Sequence, residues 1–422
     1  MLIQFSVENF MSFKEKTVFS MKPGTGNELP NHVYSDGKNE SLRTIAIYGA
    51  NASGKTNFIR AFTAMIMILR ESNNLQLNQP LYQIIPFKLD KKMLKRPTAF
   101  EIIFIADGKK YIYGFSATVE KIIDEYLYVY NTVKKSLIFE RNNSEDFYFP
   151  KTETKRLQDI ETRNTPNKLF LSTATNWNYE HTKTPFTWLT EVMDTYDTSS
   201  WPFLNHDLLS GEKSNEFKLF INNFLHMADI NIINYEIYER EVRNEEIKQL
   251  KKIIPKNIYA ELVKTQQTGM QFKSYDLMTM HIVENDGIEE NYQLDFNEES
   301  NGTKIFFSMA IAIKQAFDNG KTMIIDEIES SIHPLLVESI IEMFNDPTIN
   351  VKNAQLIFTT HDINLLTIEK LRRDQIYFCE KNNKTAGSYI FSLDEFSVRK
   401  DEKIRKNYIN GRYGAIPKVT LQ

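Results

Sequence analysis

The residues Gly49-Ala50-Asn51-Ala52-Ser53-Gly54-Lys55-Thr56 fit the pattern G-x-x-x-x-G-K-[ST]. Glycine at both ends lets the backbone curl, so that the amides of Asn51, Ala52 and Ser53 point inward around a phosphate chain. Lys55 is then placed to reach the β- and γ-phosphates, and the Thr56 hydroxyl to ligate Mg²⁺. Asn57 follows as a further nucleotide contact at the start of a helix, whose positive end faces the same anion. The chemistry expected here is binding of ATP with Mg²⁺.

Three further groups lie far downstream. Thr322-Met323-Ile324-Ile325 is an apolar run that ends in the carboxylate pair Asp326-Glu327. In open α/β sheets, ligand chemistry sits at the carboxyl end of such strands. Asp326 would hold Mg²⁺ directly or through water, and Glu327 would polarise the attacking water as general base. Thr359-Thr360-His361-Asp362 ends the next apolar run, which places His361 to sense a γ-phosphate or position water. Read alone, it is equally a strand-terminal histidine with an ordinary hydrogen bond. Glu299-Ser300-Asn301-Gly302-Thr303-Lys304 precedes an apolar helical stretch. Ser300 is a natural N-cap, and the helix start behind it is either a plain capped end or an anion site.

The elements that must position these groups alternate in type. Residues 43–48 read as a short apolar strand before the Gly49 loop, and 57–70 as a helix with Phe58, Ala61, Phe62, Met65 and Leu69 on one face. Residues 304–317 read as a helix, 322–325 as a buried strand, 331–344 as a helix with Pro334 in its first turn, and 354–360 as another buried strand. Strand–helix–strand alternation implies a parallel α/β sheet. Residues 1–20 read as strands, 21–42 as loop, and 98–140 as a meander turned at Asp107-Gly108. The expected organisation is a β-rich N-terminal lobe with the phosphate loop over 1–140, a mostly helical insertion over 141–298, and a C-terminal lobe over 299–422. In the insertion, 215–228 and 241–254 show helical spacing, and no sustained heptad is present.

Composition narrows the class. At 422 residues the chain exceeds the roughly 250–300 that one core usually supports. With 41% hydrophobic and 25% charged residues it is globular, not disordered. A net charge of −4 argues against a wholly basic nucleic-acid binder. The single Cys379 cannot form an internal disulfide, which fits a reducing, cytoplasmic setting. No apolar run approaches the about 20 residues of a membrane span, and the N-terminus lacks a signal-peptide pattern. One Cys and seven His in all show no metal-ligand spacing. The tail from Ser397 carries Arg399, Lys400, Lys403, Arg405, Lys406, Arg412 and Lys418. It reads as a solvated charged helix with a docking loop, or as a phosphate contact. Tyr408 and Tyr413 beside Arg412 suit a protein interface.

The order of these motifs resembles the ABC-type ATPases of the RecF, SMC and OLD group, over roughly 1–120 and 290–420. The resemblance implies a P-loop NTPase with an ABC-type core. It makes Ser300, with Gly302, the signature contact to nucleotide, Asp326 and Glu327 the Walker B pair, and His361 the switch histidine. Glu329 and the run Ser331-Ile332-His333-Pro334 are similar to the D-loop region, and Phe10, Ser12 and Phe13 to the N-terminal NF-x-SF pattern. The usual LSGGQ reads Glu299-Ser300-Asn301-Gly302-Thr303 here. Gln79 and Gln83 are the candidates for the Q-loop glutamine. The ending Tyr408–Pro417 resembles stand-alone anti-phage ATPases of the PARIS, AbiLi and RloA kinds. That implies a head-to-tail ATP-sandwich homodimer or higher oligomer, a separate operon-encoded effector of Toprim-like or RloB-like type, and DNA or a phage protein as trigger. Only 60 residues follow Asp362, too few for a Toprim domain of its own. The alternatives are a RecF-like DNA-repair ATPase, with DNA-stimulated hydrolysis, and a scaffold that holds ATP and barely turns it over.

Overall fold

The computed structural model describes residues 1–197, 201, 215–228, 231–251, 256–267, 272–330, 332–396 and 402–416. The chain forms two compact units. The first comprises Met1–Ser199 with Gln315–Gln422, and the second Ser200–Lys314.

The first unit is built on two sheets. The core sheet runs Met193–Tyr196, Thr322–Ile325, Gln355–Thr359, Thr44–Tyr48 and Ile376–Lys381, all parallel, and ends in the antiparallel strand Ser388–Ser392. Its central strands are buried along their whole length, as continuous apolar runs in a parallel sheet require. The second sheet is antiparallel, in the order Asp146–Tyr148, Lys135–Asn142, Ile122–Tyr130, Lys109–Ala117, Thr98–Ala106, Leu2–Glu8, Thr17–Ser20. Thr98–Ala106 alternates buried and half-buried residues, the period-two pattern legible in its sequence. Asp107 and Gly108 both take positive φ, 49° and 69°, the tight hairpin geometry that their types favour.

The helix Lys55–Glu71 joins the two sheets. Phe58 and Phe62 meet Phe5 of the antiparallel sheet, with Phe5 and Phe62 stacked at 3.8 Å between centroids. Ile45, Ile47, Ile324 and Ile357 of the core sheet belong to the same buried cluster. A buried side chain also stitches the sheets. Gln355 accepts from the Leu2 N–H at 2.6 Å and donates to the Leu2 carbonyl at 3.0 Å. Burying an amide is tolerable because its donors and acceptors are matched in this way.

Several expectations change. Residues 141–199 pack with the first unit, so the division does not fall at 140/141. The middle of the chain holds a three-stranded antiparallel sheet, Ile232–Glu241, Lys273–Asn285 and Ile288–Asp295, beside its helices. Many of these strand residues are exposed or half-buried, so the sequence there lacks a clean apolar alternation. In the stretch 241–254 the helix Asn244–Leu250 forms, and residues 252–254 lie outside the described residues. The loop 21–42 contains a small pair, Val33–Ser35 with Glu40–Leu42. The helix expected from 331 begins at Pro334, with His333 as its cap, and Ser331 lies outside the described residues.

The tail is also corrected. Tyr408 and Tyr413 are not free for an interface. Both rings stack on Phe378 of the core sheet, at 5.3 and 5.7 Å, and both are buried. Arg412 pairs with Glu402 at 2.6 Å. The basic residues Arg399, Lys400 and Lys418 lie outside the described residues. Among the described residues, no helix is long and apolar enough to cross a membrane.

Candidate functional site

The loop Gly49–Gly54 leaves the carboxyl end of Thr44–Tyr48 and feeds directly into Lys55–Glu71. Two of its glycines are needed where they stand. Gly54 has φ 118°, and a Cβ there would lie 2.4 Å from Ser388 Oγ. A Cβ on Gly49 would lie 2.4 Å from the Cys379 carbonyl oxygen. Ala52 also takes a left-handed φ of 63°. The loop is pinned from outside as well. Ser388 Oγ donates to the Ser53 carbonyl at 2.6 Å, and Asn57 Nδ2 donates to Ser12 Oγ at 3.0 Å. Cys379 lies behind the loop, its thiol pushed up to about 12 by burial.

Residues Ala50–Asn57 line a cleft of about 350 Å³ together with Ser12, Glu327, His361 and Lys381. Gly49 and the first part of the loop line an adjoining cavity of about 630 Å³, which His361 and Lys381 share. The folding of the chain therefore gathers the loop, Glu327 and His361 at one place. Asp326 lies one shell behind. Its Oδ1 accepts from the Thr359 hydroxyl at 2.6 Å, while that hydroxyl accepts the Glu327 N–H at 2.7 Å. Glu327 sits at φ 50°, a left-handed conformation costly for a residue with a Cβ and typical of functional turns.

Lys55 is buried, and its ammonium donates to the Gly49 carbonyl at 2.8 Å. It lies 3.1 Å from His361 Nε2. Among the described residues no carboxylate is within ion-pair distance of it. Burial holds its pKa below the ordinary lysine value, with the Cys379 thiol and the carboxylates of Asp326, Glu327 and Glu329 opposing that shift. His361 is likewise lowered, by burial first and by the Lys55 charge second. A neutral imidazole facing an ammonium must accept at Nε2, which puts its proton on Nδ1.

These residues fit a magnesium nucleotide. A buried cation held only by neutral acceptors is suited to an anion that replaces them. Thr56 lies in the first turn of the helix beside the loop, and Asp326 Oδ2 makes no hydrogen bond among the described residues, so both oxygens suit a hard cation.

Ser300 and Gly302 lie in the second unit, at the start of the helix Asn301–Asn319. Ser300 Oγ accepts the Thr303 N–H at 3.1 Å, the capping bond its type favours. Just before it, Glu299 accepts from Thr279 Oγ1 at 2.6 Å and lies 2.8 Å from His281 Nε2. Neither Gln79 nor Gln83 lines the cleft. Gln79 accepts from the Gln76 N–H, and Gln83 donates to Glu71.

Sequence reasoning missed Lys381 and Thr359. Lys381 reaches the cleft only because its strand pairs with Thr44–Tyr48, a neighbour more than 300 residues away in sequence. Thr359 carried a readable signal, a hydroxyl at the end of a strand next to the carboxylate strand.

Three solved structures superpose loosely on the chain, each covering 93% of it. They are an SMC head domain from Thermotoga maritima (15% identity, 98% of that chain, TM-score 0.40), an SmcHead bound to the C-winged helix domain of ScpA (11%, 97%, 0.39), and an Smc head domain with an extended coiled coil bound to the C-terminal domain of ScpA, derived from Pyrococcus furiosus (10%, 97%, 0.39). No curated protein matches significantly. A family model described as "AAA domain, putative AbiEii toxin, Type IV TA system" matches residues 44–367, from the strand before the phosphate loop to just past His361. That span is well over half of the chain, which therefore belongs to this AAA-domain family, related to abortive-infection proteins.

Proposed function

We propose that this protein hydrolyses ATP and uses the cycle as a sensor or scaffold in bacterial anti-phage defence. One observation carries the catalytic part. A buried Lys55 with no acidic partner in ion-pair distance among the described residues shares a cleft with Glu327 and His361 at the carboxyl end of a parallel sheet. In this reading the β/γ-phosphates take the place of the Gly49 carbonyl at Lys55. Glu327 accepts a proton from the attacking water. His361 is released from Lys55 and turns toward the terminal phosphate. Thr56 and Asp326 would hold Mg²⁺, which would supply neutralisation of the phosphate oxygens. Ser300 and Gly302 of one subunit meet nucleotide on the loop of another, so binding closes a head-to-tail dimer and hydrolysis reopens it.

The defence role rests on the membership of an abortive-infection-related family and on the resemblance of the sequence to stand-alone defence ATPases. The effector would be a separate Toprim-like or RloB-like protein, and the trigger DNA or a phage protein. Native mass spectrometry of the tagged protein, expressed from its own operon with ATP, tests this. A higher-order ATPase assembly carrying a neighbour-encoded protein is expected. A bare ATP-dependent dimer, or one carrying only DNA, would replace this reading with a RecF-like DNA-binding ATPase.

A further inference from the structure

We infer that Glu329 is the positioning residue for His361, an inference that rests on the nucleotide reading of the cleft. The Glu329 carboxylate Oε1 accepts the main-chain N–H of His361 at 2.6 Å. That N–H belongs to the turn after Gln355–Thr359, so the bond ties the carboxylate turn to the histidine turn across two strands. A second tie lies beside it, where the Ile328 N–H donates to the Thr359 carbonyl at 3.2 Å. The Thr359 hydroxyl, bridging Asp326 and Glu327, is a third. Of the three, only Glu329 grips the histidine residue itself.

The energetic case is specific. Glu329 Oε2 is buried and makes no hydrogen bond among the described residues. A half-satisfied buried carboxylate is a costly way to fill space, since each such oxygen forgoes hydration without replacement. What the residue gains is one charge-assisted bond, shorter and stronger than a neutral acceptor gives. That bond fixes the backbone of His361, and the backbone fixes where the ring starts. The ring then meets Lys55 with Nε2 at 3.1 Å. With the main-chain tie gone, the turn is free to rotate, and the imidazole no longer begins its swing from one place.

Glu329→Ala and Glu329→Gln test this by two readouts. The first is the ¹⁵N resonances of the His361 ring in nucleotide-free, histidine-labelled protein, assigned with His361→Gln. The second is the split between ATP affinity and turnover. Glu329→Ala is expected to shift the His361 signals and to lower kcat by about tenfold or more, with ATP affinity within about twofold. Glu329→Gln keeps a carbonyl acceptor, so it should return both the signals and most of the rate. Unmoved His361 signals in Glu329→Ala would overturn the inference whatever the rate does. If Glu329→Ala does not fold, Glu329→Gln decides, with wild-type signals supporting the tie and displaced signals refuting it. Should the wild type fail to hydrolyse ATP while Glu329→Ala still moves the His361 signals, the ATPase reading falls and the positioning role stands.

Discussion

The phosphate-loop cleft and the Ser300 segment both stand at a helix N-terminus, yet they are held in opposite ways. In the cleft, each group is fixed by a partner distant in sequence: Lys55 by His361, Asp326 by Thr359, Ser53 by Ser388, Asn57 by Ser12. Its backbone is strained at Ala52 and Glu327. At Ser300 the hydroxyl's partner among the described residues is Thr303, three positions along the chain, and Ser300 is exposed. The exception is Glu299, anchored by Thr279 and His281. The first region is preorganised, with its costs met by tertiary packing. The second is local, as suits the contact proposed for it, with nucleotide on another subunit.

Substitutions can break that comparison, and the largest effect is expected at Lys55. Lys55→Ala removes the cation from the phosphate chain and should weaken ATP binding by at least about 100-fold. Equilibrium dialysis showing ordinary affinity would refute the loop assignment. Next is Glu327→Gln, which should cut turnover by about 10²–10³ as expected for a lost general base, with affinity kept. Undiminished phosphate release would remove Glu327 from that role.

Gly54→Ala forces a Cβ onto Ser388 Oγ at a left-handed φ. It should destabilise the fold by about 1–3 kcal/mol, read as a lower Tm, and weaken ATP binding besides. Ser300→Ala tests the other side. Its lost cap should cost about 1 kcal/mol, with ATP affinity of the single subunit unchanged and ATP-driven association weakened in sedimentation runs. Equal loss in both measurements would erase the distinction between the two regions.

The smallest effect concerns Cys379. Burial pushes its thiol up to about 12, so at pH 8 it is protonated as well as hidden. Alkylation should proceed only with unfolding, because the thiolate is the reactive form. Rapid labelling of the native protein would show that the wall behind the loop opens freely.

Much of the cleft was legible in the chain. The phosphate loop binds through its own amides and the residues beside it, so its chemistry is written in consecutive positions. The core strands were legible because a parallel sheet buries whole runs, and the Thr98–Ala106 strand because one face is buried and alternation follows. The three-stranded sheet of the second unit was not, since partial exposure removes the need for a sharp pattern. The tail misled for a related reason. Tyr and Arg suit an interface with any surface, and here the surface that Tyr408 and Tyr413 cover is Phe378 of the same chain.

By itself, then, the sequence singled out the groups proposed to carry the chemistry: Gly49 to Asn57, Asp326, Glu327 and His361. Local covalent geometry and strand-end placement suffice for that. Only the tertiary structure decided that Lys55 faces His361, that Thr359 bridges the two carboxylate positions, that Glu329 holds the histidine turn, and that Lys381 joins the cleft. Those relations depend on which strands lie side by side, and strand order is set by packing both faces of one sheet, not by any stretch of sequence read alone.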